Sequence, residues 1–419
     1  MRKSMLGRLG VVLSAALLIA CLSCTSRPAI TSDEALGWVG TWASAPMAAE
    51  PRDLPPSPPG LADSTLRQIV HVSIGGNELR VRFSNAFGKS PLTITSAHIA
   101  RATGGSAIEP ASDTALSFSG RESATISAGA LVWSDPVQFE LAPLSDVAVT
   151  IQVTQAPDDL TVHPASHCTS YLQPGEAVSA PEMPDATPTE HWYLLNGIDV
   201  RTGGSAAAVA ALGDSITDGS GSTTNENQRW PDFLARRLAA DPATREIGVL
   251  NLGIGGNRIL NDGRGPNALA RLDRDILAQD GVRWLIVFEG INDIGTRREN
   301  PAPEMIDATA ERLIAALDQI IERAHSRGIR VYGATILACE GSFYFTPERE
   351  VERQKVNDWI RTGGKFDAVL DFDAATRDPQ KPTALAADLD SGDHLHLNDA
   401  GYKALADSID LSLLAKQAK

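Results

Sequence analysis

The chain has 419 residues, 43% of them hydrophobic, and a formal net charge of -15 at pH 7. Because domains commonly contain about 150 residues, this length suggests two or three of them. So negative a surface repels phosphate backbones and anionic lipid headgroups, which argues against a nucleic-acid-binding protein. A neutral ligand fits this charge better.

The N-terminus has the pattern of an export signal. A basic segment at residues 2–8 precedes an apolar run over residues 9–20, which is too short to span a bilayer as a mature helix. The tetrapeptide Leu-Ile-Ala-Cys that ends at Cys21 resembles a bacterial lipoprotein cleavage site, and the alternative is a plain signal peptide cut near Cys24. We predict a signal peptide over residues 1–26. The protein is then either secreted or a periplasmic or cell-envelope lipoprotein, whose membrane contact is a lipid anchor at Cys21.

The segment that follows is predicted to be an extended arm and then an all-β domain, together spanning residues 27–205. Proline-rich sequence up to about residue 60 disfavours regular structure. Apolar and charged residues then alternate, as in Leu79–Phe83, and several similar short runs are separated by turns such as Gly75–Asn77. No amphipathic helix is evident before Gly204. This pattern predicts an antiparallel β-sandwich, of which a jelly roll is one form.

Two cysteines, Cys168 and Cys339, lie beyond the export signal. Export permits a disulfide. The two residues fall in different predicted domains, so we expect two unpaired thiols, with a disulfide as the alternative.

Residues 206–419 change to a rhythm of strand, loop and helix. The clearest helix is predicted over Glu304–His325, where apolar residues form one stripe, and a last helix is predicted from Asn398 to about Leu413. The apolar strand-like runs are Ala206–Leu212, Ile247–Leu252, Trp284–Phe288, Ile329–Ile336 and Ala368–Phe372. Five buried parallel strands alternating with helices form a doubly wound α/β sheet, with its functional site at the carboxyl ends of the strands.

Three short motifs follow these strands. Gly213–Ser215 follows the first strand, at a turn that exposes the hydroxyl and the backbone N–H of Ser215. The loop Asn251–Asn257 follows the second, and its Gly256 can offer an N–H to a developing oxyanion. A dinucleotide-binding loop is the rival interpretation, but Gly-x-Gly-Gly lacks the required spacing. Asn292 follows the third strand, and its amide can donate to the same oxyanion.

A fourth motif, Asp393–His396, precedes the last helix. Three residues apart, the Asp393 carboxylate can orient the His396 imidazole and stabilise its protonated form. His394 and His396 are alternatively a metal-binding pair, but no clear third ligand accompanies them. His163 and His167 form a weaker candidate pair, which we place in a loop of the β-sandwich at the surface or between domains.

Taken together, the four motifs resemble the blocks of the SGNH, or GDSL-type, hydrolase family, with Ile216 where leucine is common. The resemblance covers about residues 206–415 and implies a flavodoxin-like domain of five parallel strands with helices on both faces. It also implies that Ser215 is the nucleophile, His396 the general base and Asp393 its orienting partner. The Ser215 N–H, the Gly256 N–H and the Asn292 side chain would form the oxyanion hole, with no metal or other cofactor. The first half is similar to the β-sandwich of exported two-domain members of this family.

The resemblance thus implies an exported serine esterase that acts on carboxylic esters through an acyl-enzyme. We expect the substrates to be short-chain or acetyl esters on carbohydrates. The partner would then be a small-molecule or polysaccharide ester. The alternatives are a lipase, lysophospholipase or thioesterase with the same triad, an acyltransferase, and a non-enzymatic glycan-binding lipoprotein. Trp133, Trp192 and Tyr193 are the candidate aromatic residues for a glycan-binding surface on the β-sandwich.

Overall fold

The computed structural model describes residues 37–296 and 303–415. The predicted signal peptide, Cys21, Cys24 and the first part of the predicted arm lie outside these ranges.

The first half of the described chain is all β, as expected. Its strands are β1 (Gly37–Ala43), β2 (Met47–Ala48), β3 (Ser64–His71), β4 (Gly76–Ser84), β5 (Leu92–Gly104), β6 (Ala107–Ile108), β7 (Thr114–Ala115), β8 (Ala124–Ile126), β9 (Leu131–Trp133), β10 (Val137–Leu141), β11 (Asp146–Val153), β12 (Thr161–Pro164), β13 (Ser170–Pro174), β14 (Thr187–Thr189), β15 (His191–Tyr193) and β16 (Leu195–Thr202). They form antiparallel sheets with the orders β1-β16-β4-β10, β14-β13-β3-β11-β5-β6 and β15-β12-β2. β9 joins the first sheet beside β4, and β7 and β8 join the second beside β5.

The alternating pattern that predicted these strands has the expected structural cause. Leu79, Val81 and Phe83 of β4 are fully buried, because alternate side chains of a strand point to the same face of the sheet. Arg80 points the other way and lies between the rings of Trp38 and Trp133, at 4.6 and 4.0 Å from their centroids. These cation–π contacts cover the opposite face of the strand.

The second half is a parallel α/β sheet, which confirms the predicted fold class. Its elements are β17 (Ala207–Gly213), α1 (Ser215–Asp218), α2 (Trp230–Ala240), β18 (Ile247–Gly253), α3 (Ala268–Leu272), β19 (Val282–Phe288), α4 (Ile291–Gly295), α5 (Pro303–His325), β20 (Arg330–Ala334), α6 (Pro347–Thr362), β21 (Ala368–Leu370), α7 (Phe372–Thr376) and α8 (Asp399–Asp407). The strand order is β18-β17-β19-β20-β21, and each pair is parallel. The strands are buried on both faces, which explains their nearly continuous apolar sequence.

The last helix is shorter than predicted. α8 begins after Asn398, whose side chain accepts the Gly401 N–H, and ends at Asp407 rather than near Leu413. Asp410 then caps a separate short 3-10 turn, Leu411–Leu413, by accepting the Ser412 N–H. The apolar spacing continues across this break, which is why the sequence pattern alone predicts one longer helix.

The all-β half packs directly against the parallel sheet. β1 runs beside β18, and a Cβ at Gly248 would lie 2.3 Å from the carbonyl oxygen of Gly40, so this backbone approach requires glycine. The Arg80 side chain reaches across to Asp280 at 2.6 Å. The predicted boundary between residues 205 and 206 falls between β16 and β17.

Cys168 and Cys339 are both buried, and each is a free thiol. The expectation of two unpaired cysteines is therefore confirmed. Within residues 37–296 and 303–415, none of the helices combines the length and hydrophobicity that a membrane-spanning segment requires.

Candidate active site

The first motif lies at the carboxyl end of the central strand. Ser215 is the first residue of α1, directly after β17, and the Asp214 side chain caps that helix by accepting the Ile216 N–H at 3.0 Å. The N–H groups of a first helical turn have no acceptor within the helix, so the Ser215 N–H remains available to a ligand. A Cβ at Gly213 would lie 2.0 Å from the Thr217 hydroxyl, so glycine is needed for this sharp turn.

The fourth motif meets the serine from the loop before α8. The Ser215 hydroxyl lies 2.8 Å from His396 Nε2, and His396 Nδ1 lies 2.6 Å from Asp393 Oδ2. The other carboxylate oxygen of Asp393 accepts the backbone N–H groups of Leu395 and His396, at 3.0 and 2.8 Å. A continuous chain of hydrogen bonds therefore connects the hydroxyl to a carboxylate that is itself held by the local backbone.

These contacts define the charge state of Asp393. Partial burial raises its pKa, but the hydrogen bonds from the His396 backbone and imidazole outweigh that effect and lower the pKa to about 2. A carboxylate that stays ionised at all ordinary pH values can hold Nδ1 of His396 in the protonated tautomer, which leaves Nε2 free to accept the serine proton.

The other two motifs lie at the same edge of the sheet. In the register of the parallel strands, Gly213 of β17 pairs with Gly253 of β18 and with Phe288 of β19. The loop containing Gly256 and the turn containing Asn292 follow these two strands, so both flank the serine turn. Asp293 ties them together, because its carboxylate accepts the N–H groups of Ile259 and Leu260 at 2.8 and 3.0 Å.

The Asn292 side chain is held through its amide oxygen, and its amide nitrogen remains available to a ligand. Its Oδ1 accepts the Tyr344 hydroxyl proton at 2.7 Å, and within the described part of the chain its buried Nδ2 has no acceptor. Only 2% of Asn292 is exposed to solvent, so an unpaired donor there is costly unless a ligand completes it. Gly256 has φ +75°, a backbone conformation that favours glycine.

A buried acidic cluster lies behind the serine turn. Asp214, Glu289 and Asp293 are each less than 10% exposed, and burial raises the pKa of all three, that of Asp214 to about 7. The fully buried Arg271 guanidinium lies 3.4 Å from Glu289 and donates to the carbonyl oxygen of Gly213 at 2.9 Å. One cation thus faces several carboxyl groups, which favours retention of protons in this cluster near neutral pH.

The structure brings together all five residues that the sequence singled out: Ser215, Gly256, Asn292, Asp393 and His396. The two histidines of the metal-pair alternative contact different carboxylates. His394 contacts Asp390 at 2.6 Å, whereas His396 contacts Asp393. Among the described residues, no group of three or more His, Cys, Asp or Glu side chains is arranged to hold a metal ion.

The predicted surface loop position of His163 is wrong, and the interdomain alternative is right. His163 lies in β12, is 4% exposed and contacts Asp218 of α1 at 3.0 Å. The suggested aromatic glycan surface is also wrong for Trp192 and Tyr193, since both are buried in the all-β core. Trp133 is half-buried beneath the guanidinium groups of Arg80 and Arg82, which occupy its ring face.

The supporting roles of Tyr344, His163 and Arg271 were not predicted from the sequence. Tyr344 and His163 are distant in the chain from the residues they contact, and Arg271 lies in a short helix without a motif of its own. An arginine or histidine with no local partner in the sequence is a weak signal, because its contacts depend on the packing of separate elements.

Comparison with known proteins identifies the second half. Residues 211–404 match the model of the GDSL-like lipase/acylhydrolase family. A search of the curated proteins finds no relative that matches the chain.

Several solved structures are also similar to this chain over about half of its length. A lipolytic protein of the G-D-S-L family from Desulfitobacterium hafniense DCB-2 is 21% identical, with 48% of this chain and 97% of that chain covered and a TM-score of 0.37. The acetyl xylan esterase AlAXEase is 20% identical, with 48% and 96% covered and a TM-score of 0.36. A catalytic mutant of an acetylxylan esterase from Geobacillus stearothermophilus is 22% identical, with 48% and 91% covered and a TM-score of 0.36. The second half of the chain therefore contains a GDSL-like lipase/acylhydrolase domain, at residues 211–404.

Proposed function

We propose that this protein is a serine esterase with Ser215 as nucleophile, His396 as general base and Asp393 as the residue that orients the base. The observation that carries this proposal is the 2.8 Å contact between the Ser215 hydroxyl and His396 Nε2, continued by the 2.6 Å contact from Nδ1 to Asp393. A hydroxyl beside an unprotonated imidazole nitrogen is activated for attack at neutral pH.

In the first half of the reaction, Ser215 Oγ bonds to the ester carbonyl carbon while its proton passes to His396 Nε2. The negative charge that forms on the carbonyl oxygen is stabilised by the N–H groups of Ser215 and Gly256 and by Asn292 Nδ2. The carbon–oxygen bond to the alcohol then breaks, and the alcohol leaves with the proton from His396.

In the second half, water attacks the acyl-enzyme and gives one proton to His396. The tetrahedral intermediate collapses, the bond to Ser215 Oγ breaks, and the serine regains its proton from the imidazole. The products are one carboxylic acid and one alcohol for each water consumed.

For the substrate, we propose short-chain esters, with acetyl groups on carbohydrates as the first choice. A neutral substrate agrees with the net charge of -15. The loop after β20 also presents an aromatic ring beside the site. Phe343 is 79% exposed, its neighbour Tyr344 contacts Asn292, and a Cβ at Gly341 of the same loop would lie 2.9 Å from the His394 ring. An exposed ring at this position can contact the face of a sugar.

We also propose that the protein is exported, on the N-terminal sequence pattern, and that it is lipidated at Cys21. Globomycin treatment of a bacterial host that expresses the full chain tests the lipoprotein assignment. Accumulation of the uncleaved precursor supports it, and normal processing contradicts it.

Hydrolysis of p-nitrophenyl acetate, butyrate and octanoate by the protein and by its Ser215→Ala variant tests the proposed activity. We expect the wild-type protein to prefer the acetate ester and the Ser215→Ala variant to lose the activity. A preference for octanoate favours the lipase, lysophospholipase or thioesterase alternatives. Undiminished hydrolysis by Ser215→Ala contradicts the mechanism, and activity on no ester, together with binding of xylan or pectin, favours a non-enzymatic glycan-binding protein. When a sugar is added as acceptor, formation of an acylated sugar instead of free acid indicates an acyltransferase.

A further inference from the structure

We propose that His163, a residue of the all-β half, is a positioning residue for the oxyanion hole of the hydrolase half. The inference rests on the proposed function, because it concerns the loop that carries the Gly256 N–H. It assigns the all-β half a part in the reaction rather than a role as a cover or a glycan-binding module.

Contacts within the all-β half hold the His163 side chain rigidly. Its strand, β12, is paired with β2 on one side and with β15 on the other. Its ring stacks on the buried Trp192 ring, with centroids 5.4 Å apart and an interplanar angle of 28°. Its Nδ1 lies 2.9 Å from the carbonyl oxygen of Ala45. Strand pairing, stacking and this bond leave the imidazole one orientation.

In that orientation, Nε2 of His163 contacts the carboxylate of Asp218, the last residue of α1, at 3.0 Å. Both ring nitrogens therefore face acceptors. The His163 and Asp218 side chains are both less than 5% exposed, so solvent does not compete for the contact between them.

The second oxygen of the same carboxylate holds the oxyanion loop. Asp218 Oδ2 accepts the N–H of Gly255 at 3.0 Å, and Gly255 directly precedes Gly256. Asp218 thus links His163 on one side to the glycine loop on the other. Gly255 and Gly256 have no side chains to anchor them, so this contact from Asp218 helps to fix the direction of the Gly256 N–H.

Neighbouring charges do not replace His163 in this link. The buried cation Arg229, which lines the same cavity, bonds to Asp232 at 2.7 Å and is thereby paired. The cavity that borders His163, Asp218 and Arg229 has a volume of about 20 Å³, which holds about one water molecule. Loss of the imidazole contact therefore leaves a buried carboxylate that is free to turn, and the glycine loop turns with it.

Two substitutions of His163 separate the contact to Asp218 from the rest of the residue. In His163→Gln, the amide nitrogen lies near the position of Nε2 and can still donate to Asp218. In His163→Asn, the amide lies near the position of Nδ1, so the Ala45 contact survives and the Asp218 contact does not. We expect kcat on p-nitrophenyl acetate to fall about 10- to 100-fold in His163→Asn with KM unchanged, and His163→Gln to recover most of that loss.

A matched control lies in the all-β half. His98 of β5 contacts Asp113, the residue before β7, at 3.0 Å, so His98→Asn removes a similar histidine–aspartate contact without reaching α1. We expect its kcat to equal that of the wild type. Equal kcat values in His163→Asn and His163→Gln, or an equal loss in His98→Asn, overturn the proposal.

Amide hydrogen exchange measured by mass spectrometry provides a readout that does not need catalysis. We expect faster exchange in peptides containing Gly255 in His163→Asn and not in His163→Gln. If His163→Asn does not fold, Asp218→Asn tests the same link from the hydrolase half. Its one amide oxygen cannot accept hydrogen bonds from both His163 and Gly255. Unchanged exchange around Gly255 in a folded variant overturns the proposal. Absence of esterase activity in the wild type contradicts the proposed function, and the exchange measurement still decides the link.

Discussion

The two sides of Ser215 are built in different ways. On the base side, Asp393 and His396 lie in one exposed segment, and 48% of the Asp393 side chain contacts solvent. On the oxyanion side, Asn292 and the acidic cluster are buried, and their supports come from separate elements. The base side is a local structure within a few residues, whereas the oxyanion side depends on the assembly of both halves of the protein.

This difference also shifts the pKa values of the aspartates on the two sides in opposite directions. Hydrogen bonds lower the pKa of Asp393 on the exposed side to about 2, whereas burial raises the pKa of Asp214 on the buried side to about 7. Two aspartates in adjacent motifs therefore differ because one is hydrated and hydrogen-bonded and the other is desolvated among carboxyl groups.

The largest expected effect is on the base side. We expect His396→Ala to lower kcat by roughly 10⁴-fold or more, because the hydroxyl then loses the base beside it. Steady-state hydrolysis of p-nitrophenyl acetate measures this loss, and a circular dichroism spectrum like that of the wild type shows that the fold is kept. A loss of less than about tenfold contradicts the assignment of His396.

On the oxyanion side, Asn292→Ala removes one donor and should lower kcat by about 10²–10³-fold. The double variant with His396→Ala sharpens the comparison. If the two sides act in one transition state, the double loss is much smaller than the product of the single losses. A kcat for Asn292→Ala equal to that of the wild type excludes its side chain from the oxyanion hole.

A smaller effect is expected one contact further away. Tyr344→Phe removes only the hydroxyl that donates to Asn292 Oδ1, so the amide can rotate and misdirect Nδ2. We expect kcat to fall roughly tenfold with little change in KM. Phe343→Ala in the same loop leaves that bond intact, and it should raise KM for carbohydrate esters instead. The reverse pattern in the two variants argues against Tyr344 as the support of Asn292.

The smallest expected effects are on stability. A raised pKa means that folded Asp214 keeps its proton while the unfolded residue loses it, so stability falls as the pH rises from about 4 to about 7, by at most about 1.4 kcal/mol per pH unit. Asp214→Asn keeps the helix cap and should flatten this decline. Asp393 has a lowered pKa, so its contribution is present above the ordinary aspartate pKa and is lost as the pH falls through about 2.

Urea unfolding across the pH range measures both contributions. Asp393→Asn should lower stability above about pH 4, by less than about 1 kcal/mol because the side chain is half exposed, and this difference should disappear as the pH falls through about 2. If Asp214→Asn leaves the decline between pH 5 and 7 as steep as in the wild type, the buried cluster does not hold the proton at Asp214.

The success of the predictions from the sequence differs in the same way between local structure and contacts between distant residues. The five parallel strands and the helix Pro303–His325 were predicted within a few residues, since hydrophobic periodicity decides them locally. Asp393 and His396 were recognisable because they lie three positions apart in one short segment. The contacts of Tyr344 with Asn292 and of His163 with Asp218 span 52 and 55 residues, and no local pattern encodes them. The burial of Trp192 likewise depends on how the sheets pack, which composition does not reveal.

The central claim is that Ser215 forms a covalent bond with the acyl group. The most direct test is incubation with a fluorophosphonate, followed by mass spectrometry of the intact protein and of its peptides. The account predicts one adduct per chain on the peptide that contains Ser215, and none in the Ser215→Ala variant. An adduct on another residue, or a Ser215→Ala protein that is labelled as fully as the wild type, contradicts it.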